Sequence, residues 1–256
     1  MPSLKFLGTG TSHGVPEIAC SCDICTSTNS KNRRLRSCAL LQENGRNLLI
    51  DCSKDFREQA LAHKINNITD ILVTHAHADH VFGLDELRVY NRLHKSRINL
   101  YMSSECDNSL RILFPYIYGQ PLQKGGGVSL LDNHVVQPGI AFDAAGFNII
   151  PIPVMHGKLP IYGYRIGDLA YITDCSYISE ESFTLAQGVK VLVLGALRYR
   201  EHPTHFNLDQ AVEAAQIIGA DQTWFVHISH NLDHDKVNSE LPENINLAYD
   251  GLTLRF

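Results

Sequence analysis

Thr74-His75-Ala76-His77-Ala78-Asp79-His80 lies between two apolar runs, Ile71-Leu72-Val73 before it and Val81-Phe82-Gly83-Leu84 after it. A short buried strand passing through a turn into a helix would present these side chains together on a rigid base. Four metal-ligating side chains fall within six positions, whereas a polar turn that merely caps a helix needs one. His75 and His77, two apart, can grip one metal from one side, while Asp79 and His80 turn toward a second. Imidazole nitrogen and carboxylate oxygen, without thiolate, suit Zn, Mn or Fe at a catalytic site with an open position.

Outward from this stretch, candidate ligands recur where predicted strands end. Ser37–Gln42 and Asn47–Asp51 form a hairpin through Asn44-Gly45, and Asp51 ends where a carboxylate could orient the metal loop. Phe147–Val154 leads to His156. Tyr162–Ile166 and Leu169–Thr173 form a hairpin across Gly167-Asp168 that ends in Asp174. Val189–Leu194 reaches Gly195, and Thr223–Val226 leads to His227-Ile228-Ser229-His230. Strands that each end in a ligand would assemble a site on one edge of a sheet sandwich. Leu4–Leu7 and Asn99–Met102 are further strands. Helices are expected over Lys54–His63, capped by Ser53, and over Leu208–Ile218, where Asn207 and Gln210 make a variant of the capping box. Leu84, Leu87 and Tyr90 recur at helical spacing and read as packing. The segment from about Glu105 to Gln137 reads as irregular, with Gly125-Gly126-Gly127 as a mobile loop or lid.

The 256 residues, 44% apolar and 19% charged, suit a soluble globular chain with a substantial core, and no linker divides them. One domain, 1–256, is expected, with a cysteine-rich loop at 18–27 inside it. A net charge of −5 argues against a long nucleic-acid footprint, and no apolar run reaches membrane-spanning length. The N-terminus lacks the basic-then-apolar layout of a signal peptide. Among seven cysteines, Cys20-x-Cys22-x-x-Cys25 puts three thiolates on one tight loop, most of a tetrahedral zinc site in a reducing compartment. A cytoplasmic location follows as the expectation. Gly8, Gly10 and Gly14 give the first strand a turn of phosphate-cradling type, although no Lys-Ser/Thr follows to make a nucleotide P-loop. The basic run Lys31–Arg36 meets either solvent or an anionic substrate.

His-x-His-x-Asp-His after an apolar strand resembles the signature of the metallo-β-lactamase-fold hydrolases. That resemblance implies an α/β (α+β) fold, a four-layer αββα sandwich. It also implies that His156 joins His75 and His77 on one metal, that Asp174 bridges, and that His227 completes the second metal with Asp79 and His80. Aspartate at 174 is similar to the phosphodiesterases and thioesterases of the superfamily, whereas true β-lactamases carry cysteine there. Cys175, one step along, should point away.

Three features narrow the resemblance: Thr9-Gly10-Thr11-Ser12-x-Gly14-x-Pro16 with its cysteines, His202-Pro203-Thr204-His205-Phe206-Asn207-Leu208, and His227-Ile228-Ser229-His230. All three resemble the phosphoribosyl 1,2-cyclic phosphate phosphodiesterase family. This implies a structural zinc on Cys20, Cys22, Cys25 and His230, and two active-site divalent ions, Zn or Mn or Fe, about 3.5–4 Å apart with a bridging hydroxide as nucleophile. His205 and Asp79 are the residues implied for catalysis, His205 in phosphate binding and leaving-group protonation, with His202 as the other candidate. The expected partner is a small, cyclic phosphodiester, with no membrane or nucleic acid, and a homodimer is an open assembly. Arg33, Arg34, Arg36, His13 and Arg198 are candidates for gripping it. The competing readings are a tRNA 3′-processing nuclease, a glyoxalase-type thioesterase, and a binding protein like the pyrroloquinoline quinone biosynthesis member.

Overall fold

The structure, a computed structural model, describes residues 1–119 and 127–256. Its first sheet contains β1 (Ser3–Gly8), β2 (Cys38–Glu43), β3 (Arg46–Ile50), β4 (Asp70–Leu72), β5 (Ile98–Met102), β6 (Leu131–Val135) and the C-terminal β14 (Thr253–Arg255). The second contains β7 (Phe142–Ala144), β8 (Phe147–His156), β9 (Leu159–Ile166), β10 (Leu169–Ile172), β11 (Val191–Gly195), β12 (Gln222–Val226) and β13 (Ile245–Leu247). The strand orders are β14-β1-β2-β3-β4-β5-β6 and β13-β12-β11-β10-β9-β8-β7.

Both faces of each sheet are covered, so the strands split their apolar residues by period two. In β2, Ala39 and Leu41 face the space between the sheets, while Cys38 and Leu40 face outward. In β11, Val191 and Val193 point inward, and Leu192 and Leu194 outward. The outer face of the first sheet packs on α1 (Phe56–Ala62), α3 (Arg88–His94), α4 (Ser104–Leu113) and α5 (Pro115–Tyr118). The outer face of the second packs on α6 (Glu180–Ala186), α7 (Leu208–Ile218) and α8 (His234–Glu240). The short α2 (Ala78–Val81) lies at the edge where the sheets meet. These are the four layers expected. Leu84, Leu87 and Tyr90 are buried against α1 and β4, as packing residues. Among the described residues, no helix is long and apolar enough to cross a membrane.

Three expectations need correction. The described residues of Glu105–Gln137 include most of α4, all of α5 and β6. Ser103 Oγ accepts from the Cys106 amide at 3.1 Å to start α4, and β6 pairs in parallel with β5. Cys106 and Leu110 face the core while Ile112 is 79% exposed, so the apolar pattern is too sparse to announce a helix. Of the expected lid, Gly125 and Gly126 lie outside the described residues. The helix expected over Lys54–His63 begins at Phe56 with Asp55 at the cap position, because Ser53 Oγ accepts from the Asp55 amide at 3.2 Å. The Asp55 carboxylate turns instead to Arg36 at 2.7 Å. The glycine loop is no phosphate cradle either. Gly10 bridges in parallel to both Arg36 and Ile228, and a Cβ at Gly8 would lie 2.1 Å from the Arg36 carbonyl oxygen. Close chain packing is what these glycines permit.

Candidate metal centre

Strands β3 and β4 run parallel in one sheet, and β10, β11 and β12 run parallel in the other, so their C-terminal ends gather on one edge. Asp51 and His227 directly follow β3 and β12, and Asp174 stands two residues past β10, with φ of 59°, 59° and 56°. Left-handed backbone costs a non-glycine residue about 1–3 kcal/mol and clusters at functional sites. Asp and His are among the side chains that tolerate it best. Each strand thus turns sharply and aims its last side chain across the edge. Gly195 makes room beside them, since a Cβ there would lie 2.9 Å from the Asp174 amide nitrogen.

Two clusters result. His75, His77 and His156 bring their ring nitrogens within 4.8 Å of one another, and so do the ligand atoms of Asp79, His80, Asp174 and His227. Asp174 lies between them. Its Oδ2 is 3.9 Å from His75 Nε2, 3.4 Å from His80 Nε2 and 3.1 Å from His227 Nε2.

The surrounding hydrogen bonds decide which nitrogen of each ring is free. Asp51, wholly buried, accepts from the Thr74 amide at 2.8 Å, the Thr74 hydroxyl at 2.9 Å and His80 Nδ1 at 2.7 Å. The Thr74 hydroxyl, its proton given to Asp51, accepts from His75 Nδ1 at 3.0 Å. His156 Nδ1 donates to the Thr204 carbonyl at 2.7 Å. All three rings therefore turn Nε2 inward, the arrangement that orients metal-bound histidines. His80 Nε2 is buried without a hydrogen-bond partner and faces Asp79 Oδ2 at 3.3 Å and Asp174 Oδ2 at 3.4 Å. A ring nitrogen converging with two carboxylates calls for a cation, a proton or a divalent metal, so the residues fit a divalent metal.

The electrostatics agree. Burial, reinforced by His80, holds His75 well below the ordinary histidine range, and burial with His156 lowers His77. Burial alone would raise Asp174 and Asp79, but the surrounding imidazoles, His227 foremost for Asp174 and His80 for Asp79, hold both carboxyls below their usual range. Burial disfavours charge on His80 too, yet Asp174, Asp51 and Asp79 outweigh it and raise its pKa, marking the spot where the field asks for positive charge. Asp51→Asn removes the acceptor that fixes the His80 tautomer. It is expected to weaken metal binding by about 10–100-fold in a competition titration, and unchanged affinity would remove Asp51 from the account.

His205 comes to the site while His202 stands behind it. The His205 ring stacks on His227 with centroids 4.8 Å apart, and its Nδ1 is 3.9 Å from Asp174 Oδ2. His202 instead accepts from the Thr204 amide at 3.3 Å, with its ring 5.0 Å from that of His205. Burial, then His227, pushes His205 down to about 3. Cys175 is buried in the outer core and points away, as expected.

The second candidate centre joins the N-terminal loop to the end of β12. His230 Nδ1 lies 3.3, 3.8 and 3.4 Å from the sulfurs of Cys20, Cys22 and Cys25. Donors of a tetrahedral zinc site stand about 3.5 Å apart, so the donor set and its spacing fit that ion. His230 Nε2 faces Glu17 Oε2 at 3.3 Å, which leaves Nδ1 for the sulfurs, and the Glu17 amide donates to Cys25 Sγ at 3.3 Å. Glu17 carried no signal in the sequence, and neither did the Thr204 carbonyl.

Most of the arginines proposed to grip substrate are committed elsewhere. Arg34 is buried, donating to the Thr9 hydroxyl at 2.8 Å and toward His234 Nδ1 at 3.2 Å. Arg36 pairs with Asp55, and Arg198 donates to the Arg200 and Glu201 carbonyls at 3.1 and 2.9 Å. Arg33 and His13 are exposed and line a separate polar hollow.

Two helix-covered mixed sheets with His and Asp clusters at one edge define the metallo-β-lactamase fold. Residues 46–228 match the family described as Beta-lactamase superfamily domain. A crystal structure described as a new diphosphatase from the PhnP family is 42% identical, with a TM-score of 0.93, over 100% of this chain and 97% of that one. An octanoyltransferase of Porphyromonas gingivalis is 37% identical over 96% of this chain and 50% of its own length. A ribonuclease Z of Acaryochloris marina is 29% identical over 64% of this chain and 46% of its own. The chain thus spans about half the length of the curated relatives it matches. The chain belongs to the β-lactamase superfamily and, within it, to the PhnP family.

Proposed function

We propose that the protein is a two-metal phosphodiesterase acting on a small, cyclic phosphodiester, phosphoribosyl 1,2-cyclic phosphate being one of that class. The observation that carries this reading is Asp174, one carboxylate oxygen within 3.9 Å of His75 and 3.1 Å of His227 and so shared between two ligand clusters. His75, His77 and His156 would hold one divalent ion, Asp79, His80 and His227 the other, with Asp174 common to both. Zn or Mn suits these donors, and Cys20, Cys22, Cys25 and His230 would hold a structural zinc. Two such ions, when bound, supply Lewis acidity toward a phosphoryl oxygen and an activated water at neutral pH. Asp79 turns its carboxylate to His80 and His227, which supports its place as a ligand.

His205 supplies the chain's own proton chemistry. The ring is neutral in the free site, and a bound phosphate brings negative charge that raises its proton affinity. It is then placed to donate to a phosphate oxygen and to pass a proton to the leaving oxygen. The PhnP-family diphosphatase, at 42% identity, supports phosphoryl rather than acyl chemistry. The sequence match to the ribonuclease Z is 29% over 64% of the chain, and the net charge of −5 suits a small substrate better than RNA. A thioesterase reading leaves the cysteine cluster unexplained, and a binding protein leaves the full ligand set unexplained.

The test is a substrate panel with Mn or Zn restored: a bis-aryl phosphate, a five-membered cyclic phosphodiester, a thioester and a lactam. Both phosphodiesters should turn over, the cyclic one faster, with little action on lactams. Turnover of thioesters alone would overturn the proposal. His205→Ala should lower kcat by about 10²–10⁴-fold on a poor leaving group, with metals retained, and by less on an activated aryl ester. Equal rates on the poor leaving group would remove His205 from the reaction.

A further inference from the structure

We propose that Lys158 binds a second, unreacting phosphate of the substrate, a monoester carried on the same sugar as the cyclic diester. The inference rests on the phosphodiesterase reading for its reaction, and on the turn between β8 and β9 for its content. His156 pairs with Leu159 across that turn, so Gly157 and Lys158 are its two central residues. Gly157 has a φ of 61°, as the first position of a type II′ turn requires, and its amide donates to the Ser176 hydroxyl at 2.9 Å. A Cβ at Gly157 would lie 2.8 Å from Thr204 Cγ2, so the turn packs directly on the segment that leads into His205. The Thr204 carbonyl also accepts from His156 Nδ1. Lys158 is therefore carried on a backbone fixed from two sides, two residues from a candidate metal ligand, and it is exposed.

The His156 ring lies between those of His77 and His205, with centroids 5.0 and 4.6 Å away. In a cyclic diester both ester oxygens belong to one sugar. A sugar with its phosphorus at the two clusters and its leaving oxygen at His205 therefore stays beside His156, where Lys158 follows. A phosphate on that sugar needs a cation, and neighbouring ones are engaged elsewhere. Arg36 pairs with Asp55, and Arg198 is tied to the Arg200 and Glu201 carbonyls. The cavity of about 390 Å³ on the His75–His77 side has no lysine or arginine in its wall, and its Glu105 carboxylate repels a phosphate. Among the described residues Lys158 meets no carboxylate, unlike Lys190, which pairs with Asp168 at 2.6 Å. A flexible four-carbon stem with three donors lets an ammonium on this turn reach a phosphate at the rim of the site.

The test uses the Mn-loaded protein and two substrates, ribofuranose 1,2-cyclic phosphate with and without a 5-phosphate. The parent should favour the phosphorylated ester in kcat/KM by about 10–100-fold, the worth of a hydrogen bond between charged groups. Lys158→Met should remove most of that preference, chiefly through KM, and Lys158→Arg should keep part of it. Added salt should shrink the preference in the parent and leave the small remainder in Lys158→Met unchanged. Metal content and Tm should stay parental in both variants, since the position is exposed. Equal kcat/KM for the two esters in the parent, or a preference that survives Lys158→Met, overturns the inference. Should neither ester be hydrolysed, the phosphodiesterase reading falls, and binding of methyl ribofuranoside 5-phosphate by calorimetry decides the inference alone. Binding to the parent about tenfold tighter than to Lys158→Met upholds it, and equal binding to both, or none to either, overturns it.

Discussion

Asp174→Asn should lower phosphodiester hydrolysis by about 10²–10³-fold or more and cost the protein at least one active-site metal, while leaving it folded. Asn keeps the shape of the side chain and tolerates the left-handed backbone that this position adopts at φ 56°, so the change is one of charge alone. Of the seven residues in the two clusters, five are histidines, and Asp79 is the only other carboxylate. Two dications held by one remaining carboxylate would repel each other with little compensation. The loss falls on both metals because Asp174 Oδ2 reaches His75 on one side and His80 and His227 on the other. Elemental analysis and turnover of a cyclic phosphodiester check the result together. Two retained metals with parental turnover would show that Asp174 bridges nothing.

His230→Ala and Cys22→Ala should each remove one zinc, lower Tm by about 5 °C or more, and reduce activity roughly tenfold, although neither residue reaches the metal pair. His227 and His230 are separated by only Ile228 and Ser229 and belong to different clusters. Between them, the Ile228 amide donates to the Thr9 carbonyl at 3.0 Å, and the Thr11 amide donates to the Ile228 carbonyl at 3.1 Å. The N-terminal loop is thus joined to the His227 segment twice, by this backbone bridge and by the cysteine cluster. Loss of the zinc leaves the bridge, which is why a reduction in activity is expected rather than its abolition. A zinc held there would keep a strand-end ligand still. Parental zinc, Tm and turnover with excess Mn in His230→Ala would contradict it.

The legible parts of this fold and site are those that short spacing or strand ends control. His75 to His80 lie within six positions, and Asp174 and His227 lie at or within two residues of the ends of strands rich in apolar residues. What stayed hidden depends on long-range partners. Arg34, in a basic run, is open to a solvated, a core-paired or a substrate-facing place, and it is buried because Thr9, Ala248 and His234, up to 214 residues away, supply its acceptors. His234 accepts because burial and then Arg34 push it down to about 4 and keep its ring neutral. Glu17 orients His230 across more than two hundred residues, and no local pattern encodes that. The α4 helix carries no clear local signal because it shows the core only Cys106 and Leu110. The edge strands β7, β13 and β14 are three residues each, too short to display a period.

The two-metal claim is tested most directly by counting metals per chain in protein purified without chelator, then after chelation and reconstitution. Cys38, Cys52, Cys106 and Cys175 are buried in the cores, so alkylation of the folded protein reports on the cysteine cluster. Three metals are expected: two removed by chelator and restored by Mn or Zn, and one zinc retained with its thiols protected. At most one metal per chain, with Cys20, Cys22 and Cys25 freely alkylated, would contradict it.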